Sequence, residues 1–364
     1  MKISAGAQRA KRALQFRGVN MFKFATTLLV AAVCHAEAAQ AQSVTLIDVA
    51  STFPSDTVIL GDVAKELPSR IAALTEGSLR LTFHEPGVLV PGAETVAAVA
   101  DGRVAAAWAG AGWFSNRDSA FTLFSSFPFG PTATEYLAWM YDGGGLGIAR
   151  RMFHAEGVHN IPCGLIPSEA SGWFRQEIRT VADLKGLTMR FFGFGAAVME
   201  KLGVETQQLP PGEILTAMKD NKLDATEFSL PAMDLELGFS EVAEYYYFPG
   251  WHQQATFFDI FVNLDIWQQL SSSHKKALEL SCGDALRAML SKGEAAQGKA
   301  LRAVQNAGVQ LKRWPPEMLV AFEDAWLEIA AEEAELNPNF AEIYNSYKSF
   351  HEDYVLWKRF SFLQ

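Results

Sequence analysis

The segment TVADLKGLTMRFFGFGAAVMEKL, residues 180–202, contains the pattern on which the predicted fold rests. Thr180 can cap a short helix, because its side-chain oxygen accepts a hydrogen bond from a free helix N–H group. Apolar side chains at every second position of 187–191 then indicate a β-strand. A glycine-rich turn at 192–195 leads into a helix over 196–202. The segment therefore predicts a strand followed by a helix, the repeating unit of α/β proteins.

The same succession of strands and helices occurs on both sides of this segment. Apolar alternation predicts further strands over 44–49, 79–83, 104–109, 160–165, 223–227, 257–263 and 309–314. Helical spacing predicts helices over 56–77 (kinked or split at Pro68), 94–102, 211–221, 273–307 and 315–336. Two such α/β units with a return strand between them predict two lobes with parallel sheets and a cleft. Ligands bind beyond the carboxyl ends of the strands in such sheets.

The first 42 residues have the composition of a secretory signal peptide. A basic lead precedes an apolar run over 24–33, and small residues follow as far as Ala41. The run is shorter than the ~20 apolar residues that span a bilayer. We expect cleavage near residue 42 and export. Three alternatives stay open: translation from Met21, a lipid anchor at Cys34, or a buried N-terminal helix.

The chain is acidic, with 41 Asp and Glu residues against 31 Lys and Arg residues. This charge repels phosphate backbones, so we expect no nucleic-acid partner. The sequence contains no histidine pair at metal-ligand spacing, no nucleophile elbow and no phosphate-binding loop. The glycines of 143–147 are interpreted as a flexible turn. An enzyme would therefore depend on carboxylates, with Glu169 and Glu227 as acid and base.

Two cysteines, Cys163 and Cys282, remain after the expected cleavage. They could pair in an oxidising compartment, but a fold of this size needs no disulfide framework. We therefore expect two buried free thiols.

The last predicted helix carries aromatic and aliphatic side chains at intervals of three and four residues. These are Phe340, Ile343, Tyr344, Tyr347, Phe350, Tyr354, Trp357 and Phe360. Such a stripe is a packing surface, either for the chain's own core or for a partner subunit.

Arg190 ends one predicted strand and directly precedes the glycine-rich turn and its helix. A helix N-terminus favours an anion, and Arg can bind a carboxylate through two parallel hydrogen bonds. Glu227 ends another strand at the same expected edge. A surface salt bridge and a solvated acid are the alternatives for these two residues. Because a bound acid beside Glu227 leaves surplus negative charge, a hard cation would complete such a site.

Six motifs follow one another along the chain. They are FPFG (127–130), SGWFR (171–175), DLKGLTMR (183–190), DATEF (224–228), YYFPGWH (246–252) and the strand 257–263. Their order resembles the solute-binding proteins of tripartite ATP-independent periplasmic (TRAP) transporters, in the DctP-type family. The resemblance covers nearly all of the mature chain and is greatest to members that bind 2-oxo acids such as pyruvate, or lactate.

The resemblance implies an α/β, two-lobed periplasmic binding protein fold with a ligand cleft, a long connecting helix and an extra C-terminal helix. We expect lobe I over 43–160 and about 254–290, and lobe II over 161–253 and about 309–336. A dimerisation helix is expected over 337–364, so the protein would be a homodimer.

The resemblance also implies the site. The family arginine that binds the substrate carboxylate corresponds to Arg190. The expected substrate-binding residues are Arg190, Glu169, Phe129, Trp108, Trp173, Phe228 and Gln253. A sodium or calcium ion would be bound by Glu169, Glu227, Gln253 and the backbone carbonyl of Phe228.

Two of these positions depart from the family pattern, because Glu169 replaces a Gln and Gln253 replaces a Glu. The exchange leaves the number of carboxylates unchanged, which favours a retained cation site. It is also consistent with a subgroup that binds a different, larger acid without a metal.

We therefore expect a periplasmic receptor, not an enzyme, that binds a small organic acid and delivers it to the TRAP membrane permease. The alternatives are a periplasmic hydrolase that uses Glu169 and Glu227, and a ligand-binding partner of a sensor kinase.

Overall fold

The computed structural model of the protein describes residues 44–209 and 211–361. The expected signal peptide (1–42), with the alternatives at Met21 and Cys34, lies outside the described residues. Within them, no helix combines the length and the apolar character that a membrane crossing requires.

The described residues form two β-sheets with helices packed around them. The strands are β1 (Thr45–Ser51), β2 (Leu79–His84), β3 (Ala106–Ala109), β4 (Val158–Ile166), β5 (Gly172–Phe174), β6 (Thr188–Arg190), β7 (Glu205–Gln207), β8 (Ala225–Thr226), β9 (Tyr245–Phe248), β10 (Thr256–Asn263) and β11 (Gln310–Arg313). The helices are α1 (Leu60–Leu74), α2 (Thr95–Ala100), α3 (Ala133–Tyr141), α4 (Gly145–Ala155), α5 (Gly193–Lys201), α6 (Pro211–Lys219), α7 (Pro231–Glu236), α8 (Leu264–Gln269), α9 (Ser272–Asn306), α10 (Pro316–Leu336) and α11 (Pro338–Ser361). The predicted α/β class is confirmed.

Both sheets are mixed, whereas the sequence predicted parallel sheets. The first sheet has the strand order β2-β1-β3-β10-β4, and the second has the order β11-β9-β5-β8-β6-β7. Strands β1, β2 and β3 are parallel, as are β6, β7 and β8. Strands β5 and β10 are antiparallel to both of their neighbours. Each of these two strands is the first after the chain passes from one sheet to the other, so no βαβ crossover fixes its direction.

Helix α9 is the predicted long connecting helix, with 35 residues. Leu278 and Met289 pack in the core of the first sheet, and Val304 packs in the core of the second sheet with Trp173. Strand β4 continues in the first sheet as far as Ile166, six residues beyond the expected lobe boundary at 160. The exact lobe boundaries stay a prediction.

Cys163 on β4 and Cys282 on α9 form a disulfide bond. The prediction of two free thiols was wrong. The two cysteines are separated by 119 positions, and they meet because α9 packs on β4 in one buried cluster. Such a bond is typical of proteins exported to an oxidising compartment.

Helices α3 and α4 were not predicted, and the glycines between them are a tight turn rather than a flexible one. Gly144 has φ = 94°, which favours glycine. At Gly143 a Cβ would lie 2.8 Å from the Cα of Trp139, so any side chain there would displace the backbone. Helix α1 begins at Leu60 and is not split at Pro68.

The aromatic stripe of α11 packs first against the chain's own core. Phe340, Ile343 and Tyr347 are buried, and the Tyr347 hydroxyl donates to Oε1 of Glu135 on α3 at 3.0 Å. Near the end of the helix, Trp357 and Phe360 are 64% and 79% exposed. The stripe therefore serves intrachain packing over its first part, and the rings of Trp357 and Phe360 at its end are mostly exposed.

Asp259 on β10 is a buried acid whose carboxylate accepts a hydrogen bond from Nδ2 of Asn160 at 3.1 Å. Burial raises the pKa of Asp259 from 3.8 to about 7, although Asn160 and Arg150 act in the opposite direction. The folded protein thus keeps a proton that the unfolded chain loses above about pH 4. The free energy of unfolding must then fall as the pH rises through this window, by up to about 1.4 kcal/mol per pH unit.

We predict that Asp259→Asn removes this fall, because an amide does not titrate. Urea unfolding at pH 4.5, 6 and 7.5 should show the variant gaining stability relative to the wild type at each step. Asp142→Asn, at an exposed aspartate, is the matched control. A constant difference between Asp259→Asn and the wild type at all three pH values would contradict the prediction.

Candidate functional site

A cavity of about 550 Å³ lies at the carboxyl ends of strands from both sheets. Its wall includes Phe53 after β1, Gly110 after β3, Phe192 after β6 and Phe228 after β8. Five of the residues predicted for the site border it, namely Glu169, Arg190, Glu227, Phe228 and Gln253. This is the edge at which α/β sheets bind ligands.

Arg190 and Glu227 form a buried ion pair at this edge. Strands β6 and β8 are parallel neighbours, with Arg190 paired to Thr226, so the residues that end them lie side by side. Nη1 of Arg190 donates to Oε2 of Glu227 at 2.7 Å and to its backbone carbonyl at 2.6 Å. Both side chains are buried, with exposures of 4% and 1%. The alternatives of a surface salt bridge and a solvated acid therefore do not hold.

The guanidinium of Arg190 keeps donors for a ligand. Nε donates to the carbonyl of Leu209 at 3.3 Å, and no partner of Nη2 is seen among residues 44–209 and 211–361. Helix α5 begins at Gly193, three residues later, and the Phe228 ring lies 5.6 Å from the guanidinium carbon. The cavity side of Arg190 thus combines a guanidinium, a helix N-terminus and an aromatic face.

Glu169 and Gln253, the exchanged pair, contact each other directly. With its amide oriented to satisfy both ends, Gln253 donates from Nε2 to Oε2 of Glu169 at 2.6 Å, and its oxygen accepts from Oγ of Ser126 at 3.1 Å. Ser229 donates to Oε1 of Glu169 at 3.1 Å. Gly250 makes this packing possible, because a Cβ there would lie 2.3 Å from the Glu169 carbonyl oxygen. In this orientation Gln253 supports Glu169 and does not turn its oxygen toward the carboxylates.

His252 is a site residue that the sequence analysis missed. Its Nε2 lies 3.4 Å from Oε1 of Glu227 and 3.7 Å from Oε2 of Glu169, and neither ring nitrogen has a hydrogen-bond partner among the described residues. Burial lowers the pKa of His252, but Glu169 and Glu227 outweigh it and raise the pKa to about 9. Burial raises the pKa of Glu169 to about 7. The motif Gly250-Trp251-His252 was visible in the sequence, but nothing in it showed that the ring faces the two carboxylates.

The ligand atoms of Glu169, Glu227 and His252 lie within 4.8 Å of one another, and all three residues are buried. Arg190 is the counter-charge of Glu227, and His252, whose pKa the two carboxylates raise to about 9, supplies a second positive charge when it is protonated. Two convergent carboxylates and nearby carbonyl oxygens form a donor set that suits a hard cation. The residues present therefore fit a bound cation.

Three predicted pocket residues do not border the cavity, contrary to the sequence expectation. Trp108 packs between Phe53 and Phe258 in the core of the first sheet. Trp173 stacks on Tyr246 at 3.9 Å, and Phe129 stacks on Trp251 at 6.0 Å. Trp108 and Trp173 lie on strands covered on both faces, so their rings fill the core.

Asp234 on α7 is a second residue that the sequence analysis missed. Its buried carboxylate accepts hydrogen bonds from Nε1 of Trp173 at 2.9 Å, from the Tyr246 hydroxyl at 2.8 Å and from the Ser229 backbone N–H at 3.0 Å. Burial raises the pKa of Asp234 to about 7. Asp234 thereby fixes the loop after β8, which carries Glu227 and Phe228, to the core of the second sheet.

Comparison with known proteins gives a family and close structural relatives. Residues 49–336 match the model of the DctP family, bacterial extracellular solute-binding protein, family 7. A monocarboxylate 2-oxoacid-binding periplasmic protein of Nostoc sp. is 33% identical over 296 residues, which is 81% of each chain.

Two solved structures match nearly the whole chain. A TRAP transporter solute-binding protein from Bordetella bronchiseptica is 33% identical, with a TM-score of 0.85 over 88% of this chain and 95% of that one. It is described as a mixed-occupancy dimer with copurified calcium and picolinate in one site. A periplasmic TRAP solute-binding protein from Pseudoalteromonas atlantica, with bound sodium and pyruvate, is 30% identical, with a TM-score of 0.84 over 88% and 97% of the two chains. The predicted family and the two-lobed fold are confirmed.

We predict that Glu169 and Gln253 are energetically coupled. Gln253→Glu places a second carboxylate against Glu169. Glu169→Gln removes the charge from a charge-assisted hydrogen bond and replaces one of two acceptor oxygens by an NH2 group, so each change should destabilise the fold. The double change restores one carboxylate and one amide. A double-mutant cycle on the free energy of unfolding, without added ligand, should give a coupling energy of about 0.5–3 kcal/mol.

The control cycle combines Glu169→Gln with Gln268→Glu, at an exposed glutamine on α8. It should be additive within about 0.5 kcal/mol. Additive effects in the Glu169/Gln253 cycle as well would show that the contact between them has no energetic role.

Proposed function

Because the chain belongs to family 7 of the bacterial extracellular solute-binding proteins, we propose that it is the periplasmic receptor of a TRAP transporter for a small monocarboxylate. The observation that carries the proposal is the buried Arg190 at the cavity edge, with guanidinium donors left for a ligand. A 2-oxo acid is the favoured class, since the Nostoc relative binds monocarboxylate 2-oxoacids and the Pseudoalteromonas structure contains pyruvate.

Arg190 binds the ligand carboxylate in this proposal. The nitrogen left for the ligand is Nη2, and the hydrogen bonds from Nη1 to Glu227 and from Nε to Leu209 hold the planar guanidinium in one orientation. The N-terminus of α5 favours the same negative charge. Preorganised donors in a buried site lower the cost of ordering on binding.

A sodium or calcium ion accompanies the acid. Glu169, Glu227 and the backbone carbonyl of Phe228 would supply its oxygen ligands, and Gln253 would hold Glu169 or turn its own oxygen inward. The cation would supply the positive charge that lets an anionic ligand bind beside two carboxylates. The Bordetella structure contains calcium and the Pseudoalteromonas structure contains sodium, each together with a carboxylic acid.

Transport then follows from closure of the two lobes. Residues from both sheets line the cavity, so a ligand that contacts both sides stabilises the closed state by its differential affinity. The permease would recognise the surface that closure creates. The Cys163–Cys282 disulfide fits an exported protein, and the N-terminal 42 residues would direct that export.

The hydrolase hypothesis is not retained. The relatives are solute receptors rather than enzymes. The carboxylate of Glu169 accepts hydrogen bonds from Gln253 and Ser229, and that of Glu227 accepts one from Arg190. These bonds fix the position of both carboxylates.

We predict that Arg190→Lys weakens binding of pyruvate or a longer 2-oxo acid by about 2 kcal/mol or more, roughly 30-fold. A lysine has a single terminal nitrogen, so it cannot pair with Glu227 through one nitrogen while another donates to the ligand, as Arg190 does. Titration calorimetry in calcium- and sodium-containing buffer measures the affinity, and circular dichroism checks the fold.

Arg175→Lys is the matched control. Arg175 donates to the backbone carbonyls of Leu223 and Met218, away from the cavity, so its replacement should leave the affinity nearly unchanged. Equal losses in the two variants would contradict the assignment of Arg190.

We propose that the receptor is a homodimer through the exposed end of α11. Leu356, Trp357 and Phe360 are 57%, 64% and 79% exposed, an apolar group that a second subunit would cover. The Bordetella relative is described as a dimer.

We predict that replacing Leu356, Trp357 and Phe360 together by Ser converts a dimer into a monomer at micromolar concentration, because the apolar contact is lost. Light scattering after size exclusion measures the mass. Leu336→Ser, at an exposed leucine that ends α10, should leave the dimer intact. A monomeric wild type would refute the proposal.

A further inference from the structure

We propose that the acid bound by this protein has a bulky apolar tail, aromatic or branched aliphatic, rather than the methyl group of pyruvate. The inference rests on the proposed function, since it takes Arg190 as the carboxylate site. It assigns the remainder of the cavity to the rest of the same ligand.

The first observation is the size of the cavity. A volume of about 550 Å³ lies in the range of sites for ligands much larger than a three-carbon acid, roughly 300–1,000 Å³. In the conformation described, a three-carbon acid at Arg190 would fill only a small part of this space.

The second observation is the chemistry of the walls beyond Arg190. Trp113 and Phe192 meet across the cavity with ring centroids 5.0 Å apart, one ring from each half of the molecule. Phe53 and Phe258 form an edge-to-face pair at 5.4 Å on the side of the first sheet. Aromatic walls favour an apolar or planar group through buried area and ring stacking.

The third observation is the distribution of charge. Among the described residues that line the cavity, Arg190 is the only cationic side chain, and the two other charged ones are Glu169 and Glu227. A second carboxylate on the ligand would find no second guanidinium or ammonium group among these residues, and only neutral groups such as Asn116 and Gln208 could hydrogen-bond it. The walls therefore select a monocarboxylate and select against a dicarboxylate of similar length.

The test is titration calorimetry with four acids at fixed calcium and sodium concentrations. The acids are pyruvate, 4-methyl-2-oxopentanoate, phenylpyruvate and 2-oxoglutarate, which vary the tail on one 2-oxo acid group. At least one of the two apolar-tailed acids should bind at least tenfold more tightly than pyruvate, and 2-oxoglutarate should bind more weakly than pyruvate. Pyruvate binding as tightly as both apolar-tailed acids, or 2-oxoglutarate binding as well as the tighter of the two, would overturn the inference.

Substitutions in the cavity wall distinguish the contribution of the ligand's tail to the affinity from that of its carboxylate. Trp113→Ala should weaken the tighter apolar-tailed acid at least fivefold and leave pyruvate nearly unchanged, and Phe192→Leu should act in the same direction. Phe350→Ala, at a half-buried aromatic residue on α11 outside the cavity, is the control and should change neither.

The outcomes distinguish this inference from the proposed function. If pyruvate binds most tightly, the proposed receptor function is retained and the inference of an apolar tail is wrong. If none of the four acids binds to folded wild-type protein, the proposed function fails and the inference fails with it.

Discussion

The site depends on the burial of two carboxylates, Glu169 and Glu227, beside one guanidinium. A buried charge is costly unless it is paired and hydrogen-bonded, and removal of one partner of a buried pair is strongly destabilising. Arg190 forms an ion pair with Glu227, with 2.7 Å between Nη1 and Oε2. Glu169 accepts hydrogen bonds from the neutral side chains of Gln253 and Ser229, and Nε2 of His252 lies 3.7 Å from its carboxylate. With His252 protonated, the ligand-free site has two positive groups for two carboxylates, so the negative charge that a bound cation would neutralise is the one that the acid brings.

The rest of the fold keeps these groups in place. Asp234 ties the loop after β8 to Trp173 and Tyr246, so that Glu227 and Phe228 have a rigid support. Helix α9 packs on the cores of both sheets, and the disulfide at Cys282 joins it to β4. In the proposed closure of the lobes, these contacts would keep the part of the site on each sheet in place.

The sequence predicted what depends on local pattern and chain order. Arg190 and Glu227 were placed at one edge because adjacent parallel strands end together, and the structure pairs β6 with β8 there. The α/β class, the long α9 and the packing stripe of α11 also followed from periodicity. The sequence did not predict the contacts between segments that are distant along the chain. The disulfide, the ring of His252 and the role of Asp234 each depend on how loops from different strands meet.

The sequence also did not predict the direction in which some side chains point. Trp173 belongs to the motif SGWFR and Trp108 to the predicted strand 104–109, but neither pattern specifies which face of a strand a ring occupies. The glycine cluster at 143–145 likewise gave no sign of the close approach to Trp139 that requires it.

The most direct test of the account is whether acid binding is linked to a cation. Protein freed of metal with a chelator is titrated with a 2-oxo acid, first without added cation and then at increasing calcium and, separately, sodium concentrations. Linked ligands raise each other's affinity by the same factor. The account predicts that the affinity for the acid rises at least tenfold with one of the two cations and that Glu227→Gln reduces this gain. An affinity that is the same in chelator as in saturating calcium and sodium would contradict it.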